Sequence, residues 1–293
     1  MSSHPRLALA LILSAGVAVF EFWGGAVSHS LALTTDAVHV CIDVFAIGVA
    51  LLAAIGATRR ANRRKTFGYG RLEVLGALFN SAVLLGATAI IVSQAILRFR
   101  APVEPHGSTM TIVAAIGLLA NLTIGLTLAG HHRDDHNLRA VLLHVAGDAL
   151  GALAVTAGGI VITLGGPAWI DPLLALFVAA VIVGGVVAVL RDAGDVLLEA
   201  VPPGIDSAEV ESRIRAIAGI EGVHDLHVWT IASGSHALSA HVLVAEGQLH
   251  EAGRVLERLR REVREKYGIG HITVQLECEH CDPGGVIICH AEP

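Results

Sequence analysis

His39 and Asp43 stand four residues apart in the stretch LALTTDAVHVCIDVFAIGVALLAAIG, and His144 and Asp148 repeat that spacing in NLRAVLLHVAGDALGALAV. On an α-helix, residues i and i+4 differ by about 40° in azimuth and sit one turn apart, so each pair projects from one face. Two helices that each offer one imidazole and one carboxylate can close a four-ligand shell. Two nitrogens and two oxygens in a tetrahedron suit Zn²⁺, with bonds of about 2.0–2.2 Å. The two carboxylates cancel the charge of the ion, which lowers the desolvation cost of either partner alone. Asp36 shares the face of His39 and Asp43, about 10.5 Å along the axis from Asp43 at 1.5 Å per residue. Cys41 points roughly the opposite way and is left out of the set.

Both stretches are long and apolar enough to cross a bilayer. An ionisable side chain at bilayer depth costs roughly 2.5–3.5 kcal/mol on insertion scales, and such residues are rare and usually functional. A single His-x-x-x-Asp in a soluble protein reads as a buried polar pair satisfied by its neighbours. Two copies in separate membrane spans read as a metal site.

The elements that must position these residues follow from composition. Of 293 residues, 54% are hydrophobic and only 16% charged, with a mean hydropathy of +0.66. A hydrocarbon core of about 30 Å needs roughly 20 apolar residues per helix. Six runs qualify, at about 7–27, 30–57, 74–98, 109–130, 138–164 and 168–190. The first contains Glu21 and has no small-x-small cleavage site after a short core, so it reads as a span rather than a cleaved leader. After about residue 200 charged residues become frequent and apolar runs shorten to strand length, with AVPPGID at the boundary. The expected organisation is a six-helix transmembrane domain over 1–200 and a soluble domain over 201–293.

Loop charge sets the orientation. The loop after the second span holds Arg59, Arg60, Arg63, Arg64, Lys65 and Arg71, and the loop after the fourth holds Arg133 and Arg139. The opposite loops are nearly free of Lys and Arg, apart from Arg98 and Arg100 at one helix end. The positive-inside rule puts both termini and the C-terminal domain in the cytoplasm of a multi-pass protein. The net charge of −6 gives no reason to expect a nucleic-acid partner. Four cysteines, one in a helix and three in the tail, fit a reducing compartment without a disulfide framework.

Two further groups have metal-ligand character. CEHC places Cys278 and Cys281 with two residues between them, followed by Cys289 and His290. A lone C-x-x-C is a weaker signal than two pairs, so a tail site competes with free thiols on a polar tail. HHRDDHN (His131, His132, Asp134, Asp135, His136) offers a short polar loop that either hands zinc to the site or is a solvated turn.

The tail reads as helix, strand, strand, long helix (about 247–266) and strand, an αββαβ order. The central strands are joined through SGS, a hairpin signal. With Ser233 and Gly234 as the two-residue turn, residue 224 pairs with 243. His224 and His241 then lie diagonally on one face, about 7–8 Å apart between backbones. A register slip of one residue would separate them.

SLALTTDAVHVCID, TFGYGRLEVLGALFN, LRAVLLHVAGDALG, DPLLALFVAAVIV and HDLHVWTI appear in this order. Together they resemble the cation diffusion facilitators, in the zinc-transporting branch with a His-Asp/His-Asp site. The resemblance runs from about Phe20 to Glu277. It implies intramembrane ligands at His39, Asp43, His144 and Asp148, the same four that spacing selects. It implies a ferredoxin-like cytoplasmic domain, a homodimer, and exchange of cytoplasmic metal for protons by alternating access in a bacterial inner membrane. It also implies Glu277 as third ligand of a cytoplasmic site with His224 and His241, which senses metal and draws the dimer together. Some relatives carry a further metal site in the loop before the third helix. Here the matching positions are Asn62, Lys65 and Tyr69, which make a poor cation site, and no metal is expected there. Zn²⁺ is thus expected as transported substrate and regulatory ligand, and Asp36 as an accessory proton path.

Two other classes of function fit the sequence less well. A zinc protease wants His-Glu-x-x-His on one helix, and the only near match, HEAGR from His250, lacks the second His and falls in the soluble domain. A membrane metal sensor would use the cytoplasmic site but gives the intramembrane site no purpose. The chain is therefore expected not to be an enzyme.

Overall fold

The computed structural model describes residues 4–129, 136–245 and 252–277. Six long helices come first: α1 (His4–Ser28), α2 (Leu31–Ala57), α3 (Leu72–Arg100), α4 (Gly107–Ala129), α5 (His136–Thr163) and α6 (Ile170–Leu197). Among the described residues, five apolar stretches are long enough to cross a membrane: Leu31–Ala57, Leu72–Arg100, Gly107–Thr127, His144–Thr163 and Ile170–Leu197. α1 adds a shorter one, Leu13–Ser28. Large apolar side chains point outward along these helices, as at Leu52, Leu119 and Leu126. In water that surface would be untenable; in hydrocarbon it is the expected exterior. Between the helices, Leu33, Met110, Val155 and Val178 form a buried core. Small residues on α5, such as Gly151 and Ala152, let neighbouring helices approach closely.

The short link between α1 and α2 fixes where α2 begins. His29 sits at φ 54°, a left-handed turn residue. Ser30 then caps α2, its Oγ accepting the N–H of Leu33 at 3.1 Å.

The C-terminal part is a small cytoplasmic α+β domain, with α7 (Ser207–Arg215), β1 (Ile220–Ala232), β2 (Ser235–Val244), α8 (Ala252–Tyr267) and β3 (His271–Glu277). The three-stranded sheet has the order β1-β2-β3, antiparallel between β1 and β2 and parallel between β2 and β3. Alternate residues of β2, including Leu238 and Val242, pack with Val210 and Ile214 of α7 and Leu259 and Val263 of α8. The other face carries His224, Ser239, His241, Thr273 and Gln275 together with Trp229, Ala237 and Leu243. Asp206 caps α7 through the N–H of Ala208. By compactness, residues 53–75 group with residues 191–293, and residues 1–52 with 76–190.

The αββαβ order agrees with the sequence expectation. The hairpin register does not. Ser233 and Gly234 do form the turn, but irregularities between Thr230 and Ala232 and between His224 and His227 each shift the pairing. His224 is therefore directly opposite His241, rather than diagonal to it with residue 243 as partner. A β-bulge inserts one extra residue into one strand and re-aims its side chains, which no turn rule anticipates.

Candidate metal centres

In the first group, α2 supplies His39 and Asp43 and α5 supplies His144 and Asp148. Each imidazole lies near both carboxylates. His39 Nε2 is 3.5 Å from Asp43 Oδ2 and 3.4 Å from Asp148 Oδ1. His144 Nε2 is 3.1 Å from Asp43 Oδ2 and 3.7 Å from Asp148 Oδ2. A tetrahedral ion with bonds of about 2.0–2.2 Å separates its ligand atoms by roughly 3.3–3.6 Å. The four distances bracket that edge. Ligand atoms of His39, His144 and Asp148 all lie within 4.8 Å of one another, and Asp43 joins through its contacts with both rings. The His39 and His144 rings meet nearly edge to face at 75°. His39 Nδ1 is buried and has no hydrogen-bond partner among the described residues.

Burial changes along α2 at this group. From Leu31 to Val40 most residues are buried; from Cys41 to Ala57 none is. Asp36, one turn before His39, is 3% exposed, whereas the His144 side chain is 51% exposed. The group thus borders buried residues on the side of the α2 N-terminus, while His144 on its other side is half exposed. Cys41 is exposed and outside the group, as its spacing implied.

The second group stands on the face of the cytoplasmic sheet opposite Leu238 and Val242. His241 Nδ1 is 2.7 Å from Glu277 Oε1, and His224 Nε2 is 3.1 Å from Glu277 Oε2. The three residues offer ligand atoms within 4.8 Å of one another. They converge because β1, β2 and β3 lie side by side and the bulge brings His224 opposite His241. Gln275 donates to Glu277 Oε1 at 2.9 Å and fixes that carboxylate.

The sequence reading missed several residues. Asp225, at φ 52° in the β1 bulge, pairs with His227 at 3.0 Å and lies 3.7 Å from His241 Nε2. The run HDLH was the only signal. Asp171 of α6 is fully buried and accepts from Ser30 Oγ, the N–H groups of Leu31 and Ala32, and Arg98. Glu21 of α1 is 1% exposed with neither carboxyl oxygen hydrogen-bonded among the described residues. It occupies the space left by Gly117 of α4, where a Cβ would come within 1.9 Å of Glu21 Oε1. Asn62, Lys65 and Tyr69 are engaged with one another, through an Asn62 Nδ2 to Tyr69 hydroxyl bond of 2.8 Å and Lys65 stacked on the Tyr69 ring. Cys278, Cys281 and Cys289, and His131, His132, Asp134 and Asp135, lie outside the described residues.

Residues 7–198 match the cation efflux transmembrane domain, and residues 202–279 match the cytoplasmic domain of cation efflux proteins. The chain belongs to the cation efflux family. It is 36% identical to the metal cation efflux system protein CzcD of Cupriavidus metallidurans, over 95% of this chain and 90% of that one. It is 35% identical to the cadmium, cobalt and zinc/H(+)-K(+) antiporter of Bacillus subtilis, over 97% and 92%. Against the zinc transporter ZitB of Escherichia coli the figures are 36%, 94% and 88%. This cation efflux protein is thus a multi-pass membrane protein of a family of metal cation transporters.

Proposed function

We propose that this protein exports Zn²⁺ from the cytoplasm in exchange for protons, by alternating access. His39, Asp43, His144 and Asp148 bind the transported ion. The observation that carries this reading is the set of four N···O distances of 3.1–3.7 Å, two within the membrane-spanning helices and two, His39–Asp148 and His144–Asp43, between them. Asp36, buried on the side of the α2 N-terminus, and the half-exposed His144 support an inward-facing conformer, closed toward the outer side. A four-ligand shell leaves no open position for a catalytic water, which favours transport over hydrolysis. The relatives named for zinc support that ion, and the antiporter of Bacillus subtilis supports protons as the counter-ion. The host membrane on this reading is a bacterial inner membrane, with both termini cytoplasmic. Uptake of Zn²⁺ into vesicles containing the purified protein, with a pH gradient imposed, tests the reading; uptake indifferent to the gradient would reject the proton half.

Metal ligands must give up their protons to bind, so metal binding and proton release are linked. Zinc affinity at the intramembrane group is therefore expected to fall as pH is lowered, with protons released on binding. Calorimetry in two buffers of different ionisation enthalpy, on protein lacking His224, His241 and the three tail cysteines, measures both. No proton release would remove ligand protonation as the coupling step.

In this reading residues 1–200 transport, and residues 201–293 sense metal through His224, His241 and Glu277 and hold the homodimer together. Cys278, Cys281 and Cys289 are a tail site for incoming zinc, and Asp36 lies on the proton path. His241→Ala is expected to weaken activation by cytoplasmic zinc several-fold while leaving transport at saturating zinc near normal. Complete loss of flux in a folded dimer would contradict a modulatory role.

A further inference from the structure

The loop between α2 and α3, which bears no carboxylate, builds a cavity of a different kind. A space of about 380 Å³ opens between this loop and β1. Its walls carry the cations Arg64, Lys65 and Arg71 and the aromatic rings of Phe67, Tyr69 and Trp229. Glu199 is the only acidic residue lining it, and its carboxylate is already bonded to Arg71 at 3.1 Å. Among the described residues, neither Arg64 nor Lys65 pairs with a carboxylate.

The walls are held in place. Asn62 Oδ1 accepts the N–H groups of Arg64 and Lys65, each at 2.9 Å. Arg71 Nε donates to the carbonyl of Ile231 on β1 at 3.4 Å. A Cβ at Gly70 would stand 2.3 Å from the Cβ of Ala232, so the loop backbone presses directly on the strand. Two cations without a carboxylate partner among the described residues line a cavity whose remaining charge is neutralised. Such a site suits a phosphate.

The source of that phosphate follows from the chain. Residues 58–71 join two bilayer-spanning helices, which anchors both loop ends at the membrane boundary. Leu72 and Leu75, in the first turns of α3, also line the cavity, and Leu75 is largely exposed. Cations beside aromatic and aliphatic walls at that depth match an amphiphile, with a charged head and an apolar stem. Basic clusters next to a membrane span attract anionic lipid. We propose that this cavity binds the phosphate of an anionic phospholipid headgroup and ties it to β1, the strand that carries His224.

Trp229 makes the site observable. The full-length protein, with Trp23 and Trp169 replaced by Phe, is reconstituted in phosphatidylcholine vesicles. The vesicles contain about 30 mol% brominated phosphatidylglycerol, or the same share of brominated phosphatidylcholine, so that anionic lipid competes in a realistic excess of neutral lipid. Quenching of Trp229 is expected to report a preference on the order of tenfold for the anionic lipid. The Arg64→Gln/Lys65→Gln double variant, altered only at exposed side chains, is expected to lose that preference while its circular dichroism is unchanged. Equal quenching by the two lipids, or an unchanged preference in the double variant, would overturn the proposal. Millimolar inorganic phosphate is expected to leave the quenching in place; relief of quenching by phosphate alone would assign the cavity to a soluble phosphate instead.

Discussion

Zinc flux is expected to fall by at least about a hundredfold when Asp148 or Asp43 is replaced by alanine, in protein that still folds and dimerises. Each carboxylate provides half of the charge that compensates a dehydrated divalent ion. With one removed, three ligands hold an ion whose net charge is uncompensated in a low-dielectric interior. Breaking a buried ion pair on one side costs about 3–5 kcal/mol. At roughly 1.4 kcal/mol per decade, that is about two to three and a half decades of affinity. Asparagine at either position keeps shape and one acceptor oxygen but not the charge, so it is expected to fail almost as badly. Histidine loss is a different case. His144→Ala removes a neutral ligand that is half exposed, and water can take its place. Flux measured in vesicles at matched protein orientation decides the matter; near-normal flux in Asp43→Ala or Asp148→Ala would remove these residues from the transport path.

The features legible in the sequence are those that depend on local periodicity. The i, i+4 spacing of His39 with Asp43, and of His144 with Asp148, already fixed each pair to one helix face. The spans were legible because a bilayer demands about 20 apolar residues in a row. The αββαβ order was legible because strand and helix periods differ. What spacing does not encode is which faces meet. That α2 and α5 meet through His39–Asp148 and His144–Asp43 is a tertiary fact; the two copies of one motif only suggested it.

The hairpin shows a second kind of illegibility. SGS announced the turn correctly, yet two bulges between the turn and His224 moved its partner from residue 243 to His241. Bulges follow from twist, side-chain packing and the left-handed residue Asp225, none of which a two-residue turn rule contains. Glu21 and Asp171 were illegible for a related reason. A carboxylate near the end or in the middle of an apolar run looks like an isolated exception until its surroundings are known. For Asp171 the partners lie as far as 141 residues away, at the start of α2.

The arrangement of those partners gives the second large prediction. Replacing Asp171 by leucine is expected to destabilise the membrane domain by about 3–5 kcal/mol, the range for orphaning a buried charged partner. Asp171 Oδ1 accepts from Ser30 Oγ at 2.6 Å and from the Ala32 N–H at 3.2 Å. Its Oδ2 accepts from the Leu31 N–H at 2.8 Å and from Arg98 Nη1 at 2.9 Å. A carboxylate on α6 thus closes the first turn of α2, where free N–H groups and the helix dipole favour negative charge. Arg98 also donates to the His29 carbonyl, which draws α3 onto the same turn. Leucine leaves Ser30 Oγ and the N–H groups of Leu31 and Ala32 without this acceptor, and Arg98 without its counter-charge. Asparagine rescues little, since its amide nitrogen must face either Ser30 and Ala32 or Leu31 and Arg98, all of them donors. Combining Asp171→Leu with Arg98→Met removes the orphaned cation and is expected to recover part of the loss, but not the part due to the α2 N–H groups. Thermal unfolding of the detergent-solubilised protein measures the series. If Asp171→Leu melts within a degree or two of the parent, or if the Arg98→Met combination recovers nothing, the carboxylate is not the tie that holds the start of α2 to α3 and α6.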